Sequence, residues 1–133
     1  MKSILTLNDK KVLISGAAGG IGRQVAITVS RLGADCVLLD MNESGLEETL
    51  QALPKGNHRV YAQNLTDYEG LASVVEDAVA DGKRFDGMVH CAGIEVVVPL
   101  KIIKLEHYEK SFAVNVIAGF ELAKQITKKK HFS

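Results

Sequence analysis

Apolar residues along the chain follow two different spacings. Short continuous apolar runs, which are typical of strands buried on both faces, alternate with stretches where apolar residues recur every three or four positions, as on one face of a helix. The continuous runs predict four strands, at residues 11–15, 35–39, 58–62 and 85–91. Because each run precedes a helical stretch, the predicted order is β-α-β-α-β-α-β-α.

The helical stretches predict four helices. The first begins near Gly20 and stops at Gly33. Thr66 or Asp67 is placed to cap the third helix, and a long fourth helix is predicted over residues 105–130. The apolar positions that mark the first three helices are Ile21, Val25, Val29 and Leu32; Leu46, Leu50 and Leu53; and Leu71, Val74, Val75, Ala78 and Val79.

Strands that alternate with helices across short connections indicate an α/β fold, with a parallel sheet covered by helices on both faces. The chain has 133 residues, a length that can bury a substantial core. Its sequence contains no internal repeat, low-complexity segment or linker. We therefore expect a single domain over residues 1–133.

Composition narrows the class of protein further. Sixteen basic residues balance sixteen acidic ones, so we expect no nucleic-acid partner. No apolar run is long enough to span a bilayer, and the N-terminus lacks the features of a signal peptide, which favours a cytoplasmic protein without a membrane partner. Cys36 and Cys91 are too few for a disulfide framework, and both lie in apolar runs, so we interpret them as small core residues.

The junction between the first strand and the first helix is rich in glycine. It reads Ser-Gly-Ala-Ala-Gly-Gly-Ile-Gly over residues 15–22. Glycine lets a ligand approach the backbone closely, and the N–H groups and dipole of a new helix attract an anion. A turn that merely connects two elements is the alternative, but the strand, the helix and the α/β order together favour a phosphate site.

The glycine spacing is G-x-x-x-G-x-G, which is neither G-x-G-x-x-G nor a P-loop. It resembles the T-G-x-x-x-G-I-G fingerprint of the short-chain dehydrogenase/reductase family, with Ser15 in place of the usual Thr. The resemblance implies a Rossmann-like doubly wound sheet and a dinucleotide cofactor at Gly16, Gly20, Ile21 and Gly22. It also implies an NAD(P)-dependent oxidoreductase that transfers hydride to or from a small carbonyl compound or secondary alcohol.

Two positions bear on the choice of cofactor. Asp40 ends the second strand, where a carboxylate can accept both ribose hydroxyls of NAD and repel the additional phosphate of NADP. The alternative is an Asp that caps the following helix. NADP-preferring members of the family often carry a basic residue at the position of Gly19. The resemblance therefore favours NAD, with NADP as the less favoured cofactor.

Two further segments resemble the family pattern in part. Asn64 and Leu65 begin a segment similar to the D-x-x-D found beside the adenine, although Asn64 replaces the usual Asp. Residues 90–93 read H-C-A-G where the family has N-N-A-G, so the resemblance assigns Ala92 and Gly93 to the cofactor site. The histidine at position 90 suggests a base or a metal ligand. Because no second histidine lies at ligand spacing, a structural histidine is favoured and no metal site is expected.

The last helix carries one polar residue in a mostly apolar stripe. The stripe predicts that the Asn115 amide is buried, either as a satisfied core residue or in a functional role. The family has an N-x-x-G element here, which Asn115 and Gly119 match with one additional residue between them. The resemblance implies that Asn115 lies on a kinked helix and helps to hold a water of the proton relay. The stripe consists of Tyr108, Phe112, Asn115, Gly119, Leu122 and Ile126.

The family's catalytic Tyr-x-x-x-Lys is missing, because none of the three tyrosines has a lysine four positions later. We therefore expect the dinucleotide-binding half of the family domain, truncated after the fourth strand and its long helix, and without activity of its own. Residues 131–133 resemble the turn into a fifth strand. The exposed fourth strand, together with a last helix that relatives use for dimerisation, favours a homo-oligomer. A non-catalytic dinucleotide-binding or interaction module, and a flavodoxin-like module, are the alternatives.

Overall fold

The computed structural model describes residues 4–133. The strands are β1 (Lys11–Ser15), β2 (Asp35–Asp40), β3 (Arg59–Ala62) and β4 (Gly87–His90). The helices are α1 (Gly20–Arg31), α2 (Glu43–Ala52), α3 (Tyr68–Ala78), α4 (Leu105–Phe112) and α5 (Ala118–Ile126). All strand pairs are parallel, in the order β3-β2-β1-β4, so the predicted α/β fold with a Rossmann-like sheet is confirmed.

Neighbouring residues of a strand point to opposite faces of the sheet, and here both faces are covered. Leu13 and Val37 pack in one core cluster with side chains of α3 and α5. Ile14 and Leu38 pack in a second cluster, which includes Leu46 of α2. The two-sided burial explains why these strands read as continuous apolar runs instead of alternating ones.

The fourth strand is shorter than predicted. Its regular pairing with β1 begins at Gly87, and Phe85 instead pairs in parallel with Phe132. The N–H of Phe85 donates to the carbonyl of His131 at 2.7 Å, and its carbonyl accepts from the N–H of Ser133 at 2.9 Å. Because Asp86 donates its N–H to β1, this new pairing lies on the opposite side of the chain, as expected at the start of a fifth strand.

The last helical region differs from the prediction. Residues 105–126 contain a π-helical segment, Ala113–Ile117, between α4 and α5, and the helix ends at Ile126 instead of residue 130. One inserted residue rotates a helix face by about 100°, because an α-helix has about 3.6 residues per turn. Leu122 is therefore buried against the sheet, whereas Phe112 and Asn115 are exposed. The prediction of one continuous buried stripe, and of a buried Asn115 amide, is wrong.

Candidate functional site

A cavity of about 370 Å³ opens at the carboxyl ends of the strands. The parallel register places Ser15 beside Leu39 and His90 there, and Asp40 beside Ala62. All of the residues assigned to a cofactor site from the sequence line this cavity, namely Gly16, Gly20, Ile21, Gly22, Asp40, Asn64, Leu65, Ala92 and Gly93. Loops at the carboxyl edge of an open α/β sheet are the usual location of ligands in such folds.

The glycine turn touches its surroundings on one side and is open on the other. A Cβ atom on Gly22 would lie 2.0 Å from the carbonyl oxygen of Gly16, and one on Gly16 would lie 2.6 Å from the amide nitrogen of Ala92. Gly20 has a positive φ of 53°, and outside its own helix and adjacent residues no heavy atom of residues 4–133 lies within 4 Å of the place of its Cβ. The turn therefore packs tightly against the protein while its backbone stays accessible from the cavity.

The N-terminus of α1 is directed to the same cavity through Gly20 and Ile21. Its N-cap, Gly19, offers no side chain, and the first turn contains no acidic residue. The first N–H groups of a helix have no carbonyl partner within the helix, and the helix dipole adds a partial positive charge. This end of α1 can therefore bind an anion such as a phosphate.

The Asp40 carboxylate lies at the end of β2 and holds the glycine turn. One oxygen accepts the N–H of Ala18 at 3.1 Å and the other accepts the N–H of Asn42 at 3.0 Å. The cap of α2 is Asn42, whose side chain accepts the N–H of Gly45, so the alternative of a helix-capping Asp40 is wrong. Each carboxylate oxygen can accept a second hydrogen bond, which leaves Asp40 able to bind hydroxyl groups in the cavity.

The segment after β3 forms one wall of the cavity. The Asn64 side-chain oxygen accepts the N–H of Thr66 at 3.0 Å and its hydroxyl at 2.8 Å, which fixes a tight turn. Leu65 is buried beneath it. Of the two predicted caps of α3, Asp67 is the N-cap, because its side chain accepts the N–H of Gly70.

Asn115 lies on the π-helical segment, at the place where the family resemblance implies a kinked helix, but it does not line the cavity. Its side chain binds both polar groups of one residue in the loop after β4. The oxygen accepts the N–H of Ile94 at 2.7 Å, and the nitrogen donates to the carbonyl of Ile94 at 3.0 Å. Because Ile94 lines the cavity, these two hydrogen bonds hold one part of the cavity wall to the π-helical segment.

Sequence reasoning assigned only part of the cavity wall. Each missed residue is adjacent in sequence to one that was assigned. Including the residues on either side of each assigned position would therefore have identified them. Burial raises the pKa of the Cys91 thiol, yet this residue is half-buried in the cavity wall and is not the core residue expected. Cys36 is a core residue, and burial raises the pKa of its thiol to about 12. The missed wall residues are Gly19, Met41, Cys91, Ile94 and Val114.

Two other expectations concern metals and membranes. Within residues 4–133, no group of three or more His, Cys, Asp or Glu side chains is arranged to hold a metal ion. None of the helices in this described part of the chain has the length and apolar composition needed to cross a bilayer.

The model of the short chain dehydrogenase family matches residues 10–131. The chain belongs to this family. Among curated relatives, D-threitol dehydrogenase of Mycolicibacterium smegmatis is 27% identical over 125 residues, which cover 92% of this chain and 48% of that protein. Diacetyl reductase [(S)-acetoin forming] of Staphylococcus epidermidis is 32% identical over 110 residues, covering 81% of this chain and 43% of that protein.

Solved structures of the short-chain dehydrogenase family have the same fold. Levodione reductase matches with a TM-score of 0.85 at 25% identity, covering 90% of this chain and 48% of that one. A short chain dehydrogenase from Mycobacterium paratuberculosis bound to NAD matches with a TM-score of 0.83 at 25% identity. The match covers 90% of this chain and 50% of that one. The chain spans about half the length of the curated relatives that it matches.

Proposed function

We propose that the cavity binds the adenosine diphosphate portion of NAD(H), and that the chain is the cofactor-binding half of an NAD-dependent oxidoreductase. The observation that carries this proposal is the convergence of the glycine turn, the uncapped N-terminus of α1 and the Asp40 carboxylate on one cavity. Gly20 and Ile21 would hold the diphosphate, since their N–H groups begin the helix. Asp40 would accept the adenosine ribose hydroxyls and disfavour the additional phosphate of NADP.

The reaction class that we propose is hydride transfer to or from a carbonyl compound or secondary alcohol. Nicotinamide supplies the hydride chemistry when it is bound. The names of two similar proteins, D-threitol dehydrogenase and diacetyl reductase, support small polyol or carbonyl substrates. By resemblance, we assign Asn115 to the relay position of the family, where it would position a water through the loop at Ile94.

We also propose that these 133 residues bind the cofactor without turning it over. A general acid or base at the substrate oxygen typically contributes about 10²–10⁴ in rate, and the sequence lacks the Tyr-x-x-x-Lys that supplies it in the family. Under this proposal the adenosine side of the cofactor makes most of the contacts. A non-catalytic dinucleotide-binding module has the same binding properties and remains the second candidate.

Calorimetric titration of the purified chain with NAD, ADP-ribose and NADP tests the binding proposal. We expect similar affinities for NAD and ADP-ribose and a weaker affinity for NADP. Absence of binding to both NAD and ADP-ribose contradicts the proposal. Oxidation of NADH in the presence of a panel of ketones tests the proposal that these 133 residues do not turn the cofactor over. Turnover by a purified chain of confirmed length would show that another residue replaces the missing tyrosine.

We further propose that the chain forms a homo-oligomer through the exposed side of the last helical region. Phe112 is 59% exposed and Phe120 is 74% exposed, and Leu105 and Ile117 are exposed as well. Several large apolar side chains exposed along one helical region favour association with another chain. Sedimentation analysis should show a dimer or larger species, and Phe112→Ser together with Phe120→Ser should shift it toward the monomer. A monomer at all concentrations contradicts the proposal.

A further inference from the structure

The His90 imidazole connects three elements behind the cavity. Its Nδ1 atom lies 2.6 Å from the hydroxyl oxygen of Ser15, the last residue of β1. Its ring packs against the backbone of α5, because a Cβ on Gly119 would lie 2.8 Å from Cδ2 and 3.1 Å from Nε2. The Nε2 atom is buried and has no hydrogen-bond partner among residues 4–133. His90 does not line the cavity, so neither nitrogen is placed to meet a substrate there.

The contacts around Ser15 indicate which nitrogen of the His90 ring carries the proton. The N–H of Ala92 donates to the Ser15 hydroxyl oxygen at 3.4 Å. If Ser15 donates its hydroxyl proton to Nδ1 of His90, that proton has an acceptor, and the Ser15 oxygen stays free to accept from Ala92. Only the proton on Nε2 of His90 then lacks an acceptor among the described residues. The opposite tautomer would leave the Ser15 proton without an acceptor in the described part of the chain. The contacts therefore favour an imidazole in which Nδ1 accepts and Nε2 carries the proton.

The Ser15 hydroxyl joins two backbone segments that both line the cavity. Gly16, the next residue, begins the glycine turn, and Ala92 lies in the loop after β4. These segments are in close contact, since a Cβ on Gly16 would lie 2.6 Å from the Ala92 nitrogen. A rotation of the Ser15 hydroxyl away from Ala92 would remove a hydrogen bond that bridges the two segments.

We propose that His90 is a positioning residue: its Nδ1 atom fixes the Ser15 hydroxyl so that Ser15 holds the glycine turn and the Ala92 loop at the spacing needed to bind the nucleotide. This inference rests on the proposed function of the cavity. His90 stands where the N-N-A-G of the family has its first asparagine. The side-chain oxygen of an asparagine occupies nearly the same place as Nδ1 of a histidine, so either residue could accept the proton of the Ser15 hydroxyl. The part of the histidine that an asparagine lacks is the buried Nε2 edge beside Gly119.

Two substitutions separate the ring nitrogens. His90→Asn keeps an acceptor near the place of Nδ1, whereas His90→Gln places its amide near the place of Nε2. We expect His90→Asn to bind ADP-ribose within about threefold of the wild type, and His90→Gln and Ser15→Ala each to lose about fivefold to tenfold, the effect of one net hydrogen bond. The double variant Ser15→Ala/His90→Gln should bind no more weakly than the weaker single variant, because both changes remove the same interaction.

Nitrogen-15 NMR of the imidazole in the wild-type chain tests the tautomer without any variant. We expect the proton on Nε2, and a proton on Nδ1 overturns the proposal. Equal losses in His90→Asn and His90→Gln, or wild-type affinity in both His90→Gln and Ser15→Ala, also overturn it.

Hydrogen exchange separates this inference from the binding proposal. The Ala92 amide should exchange several-fold faster in His90→Gln than in the wild type or His90→Asn, whether or not a nucleotide binds. If the wild-type chain binds neither NAD nor ADP-ribose, but this pattern of exchange is seen, the proposed function fails while the link from His90 through Ser15 to Ala92 stands. Equal exchange in all three proteins overturns the link itself.

Discussion

The Asp40 carboxylate accepts the N–H of Ala18 at 3.1 Å, so the end of β2 is tied directly to the glycine turn. A second carboxylate oxygen accepts the N–H of Asn42, which precedes α2. Asp40 therefore organises two loops of the cavity in addition to facing it. Any substitution at this position changes both the loops and the proposed contact with the ribose, and the two effects need separate measurements.

Asp40→Asn should reduce the affinity for NAD by about tenfold to a hundredfold, because a hydrogen bond to a charged group contributes ~1.5–3 kcal/mol. The affinity for NADP should fall less or rise, since the substitution removes the negative charge that repels the additional phosphate. Calorimetric titration with both nucleotides measures the ratio. Asn42→Ala is the control, because it removes the cap of α2 while leaving the Asp40 charge in place. An unchanged ratio in Asp40→Asn contradicts the proposed role.

The glycines of the turn should differ in what a methyl group does. Gly22→Ala places Cβ 2.0 Å from the Gly16 carbonyl oxygen, and overpacking of this kind costs about 1–3 kcal/mol of stability. Gly19→Ala should fold normally, since the backbone there is extended and, adjacent residues aside, no heavy atom in the described part of the chain lies within 4 Å of that Cβ. Its methyl group would narrow the anion site, and we expect ADP-ribose affinity to fall by about tenfold, or ~1.4 kcal/mol.

Gly87→Ala is the matched control for both variants. Its Cβ also meets no atom of the described residues within 4 Å, apart from its chain neighbours, and Gly87 lies in β4, outside the cavity wall. Urea unfolding gives the stability of each variant and calorimetry gives the affinity. If Gly19→Ala binds ADP-ribose as tightly as Gly87→Ala does, the diphosphate does not bind at the first turn of α1.

The sequence was sufficient to predict the order of strands and helices, because this order follows from local spacing. It also predicted four of the five glycines in the cavity wall, through the glycine-rich turn and the resemblance to the family, and missed only Gly19. It did not predict the π-helical segment, because hydrophobic periodicity in a short stretch assumes a constant number of residues per turn. The additional residue between Asn115 and Gly119, relative to the N-x-x-G of the family, was the available signal. The π-helical segment, Ala113–Ile117, ends two residues before Gly119.

The sequence also gave no indication of how Lys11 is used. A lysine at the start of a strand is ordinarily exposed, yet only 1% of Lys11 is accessible to solvent. Its ammonium group binds the carboxylate of Asp81 at 3.1 Å and the carbonyl oxygens of Ala78 and Lys83, and it lies 5.7 Å from the centre of the Phe85 ring. All of these partners are distant in sequence, so no local pattern encodes the contact.

Lys11→Met should destabilise the protein by about 2–3 kcal/mol, because it leaves the carbonyl oxygens of Ala78 and Lys83 without their donor. Within the described part of the chain, the Asp81 carboxylate would keep only the more distant guanidinium group of Arg59, at 3.7 Å, as its cation. The neighbouring variant Lys10→Met is the control. Lys10 pairs with Asp86 but is 52% exposed, and an exposed ion pair contributes at most about 1 kcal/mol. Urea unfolding measures both. Equal stabilities for the two variants are incompatible with a stabilising role of the buried ammonium group.

The loss of stability at low pH should depend on the contact between Lys11 and Asp81. Burial alone would raise the pKa of Asp81, but the Lys83 amide and the Lys11 ammonium outweigh it and hold this pKa below its usual value of 3.8. A lowered pKa in the folded state stabilises the protein above the unfolded value, and this contribution is lost as the pH falls through the folded value. We therefore expect the free energy of unfolding to decrease below about pH 4, with a smaller decrease in Lys11→Met. The same slope in both proteins contradicts this account.

The Asn115 side chain should protect one amide of the cavity loop. Its oxygen accepts the N–H of Ile94 at 2.7 Å and its nitrogen donates to the Ile94 carbonyl at 3.0 Å, whereas its contact with Ser111 is weaker, at 3.4 Å. Asn115→Ala removes both bonds to Ile94, and the loss of one net hydrogen bond, ~1 kcal/mol, should speed hydrogen exchange at the Ile94 amide by about fivefold.

Ser111→Ala is the control for this experiment, because it removes only the weaker contact of Asn115 and should leave exchange at Ile94 unchanged. ADP-ribose binding provides the second measurement. Asn115 does not line the cavity, so Asn115→Ala should weaken ADP-ribose binding less than Gly19→Ala does, for which we expect a loss of about tenfold. If exchange at Ile94 is the same in the wild type and Asn115→Ala, the loop is held by its own backbone and Asn115 must act, if at all, on the substrate side of the family site.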